Sequence, residues 1–519
     1  MSTNIEGDDD NQRQQNARWI ERALVFYLGL PILLFLSQWL NFGAAFFNLA
    51  LLFIATYCIW HVNFASDAQH LKKKISANLN NNAVAYLVLF AWCCLSGIGG
   101  AGFQNSDYGA SNALLKDLIE NPWPLTLSEG KPLVYYVAYY LPAALTGKVF
   151  HWQAAHVVIF VWSFFGLALM WNILSAALDL SRVSRLKSFL AVSIFILFGG
   201  WDCVGIFFNP NYSDAPLGTH IEWWAQIAQL SSHTTLLFWV PQHVIAPWLV
   251  ASYILFLLNR KNSRHSLLLF AALSFLWSPL ASIGLLPFIG IVIASQYKAN
   301  RLNSFQIPNN FFIGPVFAAL GALFYSSNSI QFPNHWQLGE REFPAKYTLL
   351  ILLEVLPLSL PFLLQHLRQQ VFLNRIALPP PFKLTENERT LGWTAIAVLI
   401  VLPLYKLGIM NDLAMRASIP ALLILCGFWM KILRTEFSFQ LRQIVPTFVC
   451  MIIGSGAAFH EIYRSIENFS FGAPKITHVG SLKNQPANET VEQRAGSNEA
   501  LFWRWLGPVA KTHDSTESK

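Results

Sequence analysis

The chain has 519 residues, 54% hydrophobic and only 12% charged, with a mean hydropathy of +0.41. Soluble domains carry about a quarter charged residues, so this composition excludes an ordinary soluble protein and points to a membrane one. The net charge of +7 is small for the length. The basic residues lie in short loops between apolar runs, which is topogenic placement and excludes a nucleic-acid patch.

In chain order, Met1 to Arg18 is polar and acidic, with no cleavable signal, and the first apolar run is long enough to span. At roughly 20 residues per crossing, spans are expected at 20–41, 43–63, 82–100, 153–177, 187–207, 233–258, 266–281, 282–296, 309–326, 346–367, 390–409, 416–434 and 443–461. That makes an all-α polytopic bundle of about thirteen spans. The basic runs, among them His70 to Lys74, Ser181 to Lys187 and Asn259 to His265, fall on one side with the N-terminus inside. This holds only if Pro132 to Phe150 does not cross. Its tyrosines, Pro142 and Gly147 suit an interfacial helix. Residues 1–461 then form one membrane domain with a large external loop at about 101–152. Residues 462–519 form an external tail, flexible beyond Lys475, where Gly, Asn, Gln and Ser dominate.

The first charged loop contains "NSDYGASNALLKDLIENPWP", Asn105 to Pro124. Ser106 is placed to cap a helix and Asp107 to face its positive end. Ala110, Ala113, Leu114, Asp117 and Leu118 share one stripe until Asn121-Pro122 ends the helix. A carboxylate at such a boundary can take a proton from a hydroxyl nucleophile; the alternative is that Asp107 only caps the helix.

In "THIEWWAQ", His220, Glu222, Trp223 and Trp224, with Asp214 upstream, combine carboxylate and indole. That pairing holds sugars, and tryptophan also serves as a plain interfacial anchor. "FWVPQHVIAPW" sets Gln242 and His243 between Pro241 and Pro247, where polar groups face a cavity or bond a neighbouring helix. Asp202 in "WDCVG" sits late in a span, and "NHWQLGERE" offers His335, Trp336, Glu340 and Arg341. In "NDLAMRASIP", Arg416 lies four residues after Asp412, within reach of an ion pair. Its planar fork suits a phosphate, and Lys406 is a second cation in the same loop.

A large first external loop opening on an acidic residue, followed by "PLVYYVAYYLPAALTGKVFHWQAAHVV", resembles the C-type (GT-C) membrane glycosyltransferases. The resemblance covers roughly residues 80–210 in pattern and the rest in topology. It implies a GT-C-like fold, a polyprenyl-phosphate sugar donor, and transfer to an envelope glycan, lipid or protein acceptor. It implies Asp107 as catalytic base or metal ligand, so a divalent cation enters as a candidate cofactor. Arg416, with Lys406, would hold the donor phosphate. Asp117, His220, Glu222, Trp223, Gln242, His243, His335 and Glu340 are the candidate substrate contacts. Many relatives carry two adjacent acidic residues, whereas here Ser106 and Tyr108 flank Asp107, a departure from a metal-binding pattern.

There is no GxxxxGK[ST], HExxH or CxxC motif. A transporter or flippase is the alternative; it would need charges deep within spans, and the sequence displays no acidic relay at a helix centre. A polysaccharide polymerase or ligase would need a larger late loop than Asn411 to Ser418. The expected location is a bacterial cytoplasmic membrane, with the N-terminus inside and the loop and C-terminus outside.

Overall fold

The structure, a computed structural model, describes residues 2–61, 82–127, 130–180, 183–209, 220–258, 264–329, 333–370, 383–434, 441–484 and 489–508. The run His70 to Lys74 and Asp214 lie outside the described residues. In chain order the helices are α1 (Ser2–Trp39), α2 (Phe42–Trp60), α3 (Asn82–Leu95), α4 (Asp107–Glu120), α5 (Leu141–Ala177), α6 (Arg185–Leu197), α7 (Asp202–Gly205), α8 (His233–Trp239), α9 (Pro241–Leu258) and α10 (Leu267–Trp277). There follow α11 (Pro279–Ile283), α12 (Leu286–Lys298), α13 (Gly314–Ser326), α14 (Phe343–Leu350), α15 (Leu356–Gln370), α16 (Glu386–Val401), α17 (Asp412–Ala417), α18 (Ile419–Lys431), α19 (Leu441–Gly454) and α20 (Gly456–Glu467).

Among the described residues, seven helical stretches are long and apolar enough to cross a membrane: Arg18–Trp39, Phe42–Trp60, Leu141–Ala177, Arg185–Phe208, Pro241–Leu258, Pro279–Lys298 and Phe343–Leu367. Three shorter apolar helices, α3, α10 and α18, join them. This is an all-α polytopic membrane architecture, with fewer full-length crossings than apolar length alone led one to expect. The run 266–281 explains part of the difference, for it breaks between α10 and α11 at Pro279 and leaves α10 short of a full crossing. Proline lacks the N–H that would continue the ladder, so one apolar run becomes two short helices.

α5 has 37 residues, about 56 Å at 1.5 Å per residue, against roughly 30 Å of hydrocarbon. It breaks at Phe150 (φ −121°, ψ 17°) and His151 (φ 70°, ψ 176°). The part before the break is about 15 Å long, too short to cross.

α9 is buried from Pro241 to Leu257 and packs against α5, α10, α12 and α18. A helix apolar all round belongs in the interior. Within lipid, such packing and interhelical hydrogen bonds, not water exclusion, hold helices together. The hydroxyls of Tyr139 and Ser163 lie 2.7 Å apart, and Trp429 Nε1 donates to the Leu358 carbonyl at 2.9 Å. β1 (Asn334–Trp336) pairs antiparallel with β2 (Tyr405–Leu407), setting His335 opposite Lys406.

Residues 468–484 and 489–508 are not the free tail that their composition implied. They form a strap across the end of the bundle that carries α4. The Gly472 amide donates to the Gly100 carbonyl at 2.9 Å, Trp152 Nε1 to the Pro474 carbonyl at 2.8 Å, and the Ser497 amide to the Ser327 carbonyl at 2.8 Å. Lys116 Nζ donates to the Ile476 and Val479 carbonyls at 3.3 and 2.9 Å. Polar composition could not reveal this, because the order comes from partners far away in the chain.

Asp117, fully buried, is the strap's anchor: its Oδ2 accepts the Lys483 amide at 2.9 Å, while Lys483 Nζ donates to Asn121 Oδ1 at 2.8 Å. Asp117→Ala leaves that amide without its acceptor, at a cost of about 1–3 kcal/mol. Limited proteolysis is expected to cut the variant within 475–500 faster than the wild type; an unchanged cleavage rate would remove Asp117 from this role.

Candidate functional site

The site grows from two short helices at the same end of the bundle. α4 begins at Asp107 because the Asn105 side chain, not Ser106, ends the preceding turn. Asn105 Oδ1 accepts the Asp107 amide at 3.0 Å, and its Nδ2 donates to the Phe238 carbonyl at 2.8 Å. The helix ends at Glu120 with Asn121 as its C-cap, and buries Ala113, Leu114, Asp117 and Leu118.

α17 opens on Asn411, whose left-handed backbone (φ 52°, ψ 61°) lets its Oδ1 accept the Ala414 amide. Gly408, with φ +81°, permits the close approach of Asp412, since a Cβ there would collide with the Asp412 carboxylate. One turn on, Arg416 Nη2 pairs with Asp412 Oδ1 at 2.7 Å, and Nη1 donates to the Tyr136 hydroxyl at 2.9 Å. The guanidinium also stands over the Tyr136 ring, 5.3 Å from its centroid.

Tyr136 connects Arg416 to α9. Its ring meets the His243 ring edge-on at 4.4 Å, and His243 Nδ1 lies 2.9 Å from Ser278 Oγ. His243 Nε2 and Gln242 Oε1 are buried without a partner among the described residues.

Asp107 is exposed at the surface, yet protein surrounds it closely enough to strip water from its charge. That desolvation raises its carboxyl above the ordinary aspartate value, against the pull of Arg416, His220 and Arg494. A carboxyl so raised is a stronger base than a free aspartate. His220 Nδ1 lies 3.3 Å from Glu461 Oε1 and its ring packs on Trp239 at 4.9 Å. Burial opposes its protonation, but Glu461 and Glu222 prevail and hold its pKa above the usual imidazole range. Glu461 is in turn clamped by Arg464 Nη1, at 3.0 and 3.1 Å.

The pH dependence follows from these directions. If Asp107 serves as a base it must be deprotonated, so turnover should rise as pH climbs through its raised value. It should fall again as pH passes the raised His220 value, because the lost cation weakens the hold of the site on an anionic substrate. His220→Asn is expected to remove the alkaline limb and leave the acid one; a profile with both limbs intact would remove His220 from the site.

The other candidate residues named from the sequence separate from this cluster. Glu222 is buried and bonded within its own segment: Gln229 Nε2 donates at 3.0 Å, the Ser232 amide at 3.0 Å and Thr235 Oγ1 at 2.5 Å. It secures its own loop. Trp223 is half-buried beside it. His335 and Glu340 are exposed and bond one another at 2.7 Å. Lys406 stands on the same ribbon, opposite His335.

Sequence reasoning missed Tyr136, Arg494 and Glu354. Glu354 is fully buried, accepts Trp224 Nε1 at 2.9 Å, and neighbours Asp202 and Glu222 electrostatically. The Asp202 and Glu354 carboxyls hydrogen-bond one another, and among the described residues no N–H or hydroxyl meets the Asp202 oxygens or Glu354 Oε2. A lone acid in the apolar run "LLILLEVLPL" was the available signal. Among the described residues, no group of three or more His, Cys, Asp or Glu side chains is placed to hold a metal ion. No known protein family, curated protein or solved structure matches the chain.

Proposed function

We propose that the protein is a membrane glycosyltransferase of GT-C type. It moves a sugar from a polyprenyl-phosphate donor to a glycan, lipid or protein acceptor of the cell envelope, on the external face of a bacterial cytoplasmic membrane. The supporting observation is that the start of α4 and the Arg416 turn meet the same end of α8 and α9: Asn105 bonds the Phe238 carbonyl beside Asp107, and His243 meets Tyr136, the hydrogen-bond partner of Arg416, whose charge acts on Asp107.

In this reading the acceptor hydroxyl gives its proton to Asp107 as its oxygen bonds to the anomeric carbon. The bond from that carbon to the phosphate oxygen breaks, and polyprenyl phosphate leaves as an anion. Arg416 offers the charge that the leaving phosphate needs.

The buried carboxylates Asp202 and Glu354 favour a second reading, a transporter or flippase that carries a solute past acids within the bundle. One experiment separates the two. Wild type, Asp107→Asn and Glu354→Gln are returned to a deletion strain at matched membrane levels, and envelope glycans are profiled by mass spectrometry. Loss of one defined sugar with Asp107→Asn, but not with Glu354→Gln, supports transfer. Full restoration by Asp107→Asn, with failure of Glu354→Gln, favours transport.

A further inference from the structure

The hydrogen bond between Arg416 and Tyr136 runs one way: Arg416 Nη1 donates and the Tyr136 hydroxyl accepts, at 2.9 Å. A phenol can both accept and donate, whereas a guanidinium only donates. The phenolic proton is therefore still to be placed, and no acceptor among the described residues takes it. Asp412 acts on the phenol through its charge, and its Oδ1 is held by Arg416 Nη2 at 2.7 Å.

Tyr136 is fixed in backbone and in ring. The Leu133 amide donates to the Leu125 carbonyl and the Val134 amide to the Arg494 carbonyl, both at 2.8 Å, which pins the stretch before it. The Val137 amide then returns to the Tyr135 carbonyl at 2.8 Å, a three-residue turn with Tyr136 at its centre. The ring is bounded by His243 at 4.4 Å, Tyr135 at 4.6 Å and Tyr325 at 5.8 Å. Tyr136 is half-buried, enclosed but not sealed. A hydroxyl held in this way needs no reorganisation before it bonds a ligand. Burial outweighs the pull of Arg416 and holds the phenol above its ordinary value, so its proton stays in place at neutral pH.

The group that takes this proton must be an acceptor, and the surroundings favour a charged one. A cation bonded to the phenol oxygen polarises the O–H and strengthens it as a donor. The capacity of Arg416 itself is partly taken, Nη2 by Asp412 and Nη1 by Tyr136, while Nε is buried without a partner among the described residues. The free hydrogen bond at this place is thus the tyrosine's.

We propose that Tyr136 donates its phenolic hydrogen bond directly to an oxygen of a phosphate monoester, beside Arg416. The inference rests on the donor reading above for its ligand, and its test keeps the two apart. The phenol keeps its proton throughout: it lends a hydrogen bond to the phosphate, and no proton is transferred. The ligand is either the headgroup of a polyprenyl monophosphate or free phosphate; the shared chemistry is the anionic phosphate oxygen.

The test is equilibrium binding of radiolabelled polyprenyl monophosphate to the full-length protein in lipid nanodiscs, for Tyr136→Phe, Arg416→Ala and the double variant. Tyr136→Phe keeps the ring and is expected to weaken binding about tenfold, the loss of one hydrogen bond to a charged group. In the Arg416→Ala background the same change should weaken binding again. A double variant that binds as Arg416→Ala does would mean that Tyr136 only positions Arg416, and overturns the proposal. Wild-type affinity in Tyr136→Phe, with weakened Arg416→Ala, overturns it too and leaves the donor reading standing. No binding by the wild type overturns both. Should Tyr136→Phe fail to fold, 3-fluorotyrosine in place of Tyr136 keeps both hydrogen bonds on a more acidic phenol. Tighter binding is then expected, and unchanged or weaker binding overturns the proposal. Competition by inorganic phosphate assigns a free-anion site and its absence a lipid headgroup; both support the contact from Tyr136.

Discussion

On the glycosyltransferase reading proposed above, Asp107→Asn is expected to lower sugar transfer by about 10²–10⁴-fold, the range that a positioned general base contributes, while the protein becomes no less stable. The asparagine keeps the shape of the side chain and the first turn of α4, whose amide is satisfied by Asn105 in any case. What it loses is the ability to take a proton. The stability half follows from the direction of the Asp107 shift. Its folded carboxyl holds a proton to higher pH than it would in the unfolded chain. The folded state therefore binds more protons in that window, and stability falls as pH rises through it. Above the window the ionised carboxylate is a standing cost that asparagine does not carry. Thermal melting at pH 7 should place Asp107→Asn at or above the wild type. A variant that is inactive because it melts early would instead mean that Asp107 serves only to start the helix.

Arg416→Ala is the second large effect, with transfer reduced about 10²–10³-fold, as for other preorganised groups that face developing charge. Unlike Asp107→Asn, it should also destabilise. Asp412 would lose its partner at 2.7 Å, and the Tyr136 hydroxyl its donor at 2.9 Å. The pair is partly open, with side chains 16% and 28% exposed. The penalty therefore falls below the roughly 3–5 kcal/mol of a fully buried pair. Arg416→Lys keeps the charge but cannot serve Asp412, Tyr136 and a phosphate at once. It should restore stability more than turnover. Steady-state kinetics alongside melting curves would check the split; equal recovery of both would make Arg416 a structural residue.

How much of this could be read in advance depends on whether the cause is local. α4 was legible to within a residue, because its stripe and its Asn121-Pro122 stop are written in consecutive residues. The Asp412–Arg416 pair was legible for the same reason, being one helical turn. The cap was misassigned, since Ser106 and Asn105 are equally good acceptors on paper and only the Phe238 carbonyl, 133 residues on, decides between them. Glu222 read as a sugar ligand because its composition suited one. Its true partners, Gln229, Ser232 and Thr235, are ordinary polar residues whose convergence needs the folded loop. Arg494 carried no signal at all in a polar stretch, since what defines it is a tyrosine about 360 residues earlier. Seven full-length crossings stand among the described residues where about thirteen were expected, and apolar length alone says nothing of where a proline divides a run.

The strap also fixes an order of events. Lys116, Asp117 and Asn121 reach partners 360, 366 and 362 residues away. Contacts at such separations form late, after the chain between them has collapsed, because closing so long a loop costs entropy before any contact forms. Leu482, Val491, Ala495 and Phe502 of the strap join the core beside its backbone and polar hydrogen bonds, so its docking buries apolar surface against helices formed before it. The bundle can be fully folded and inserted while this face is still open. The step that completes the Asp107 end of the molecule is a docking event with its own equilibrium, separate from the folding of the helices beneath it.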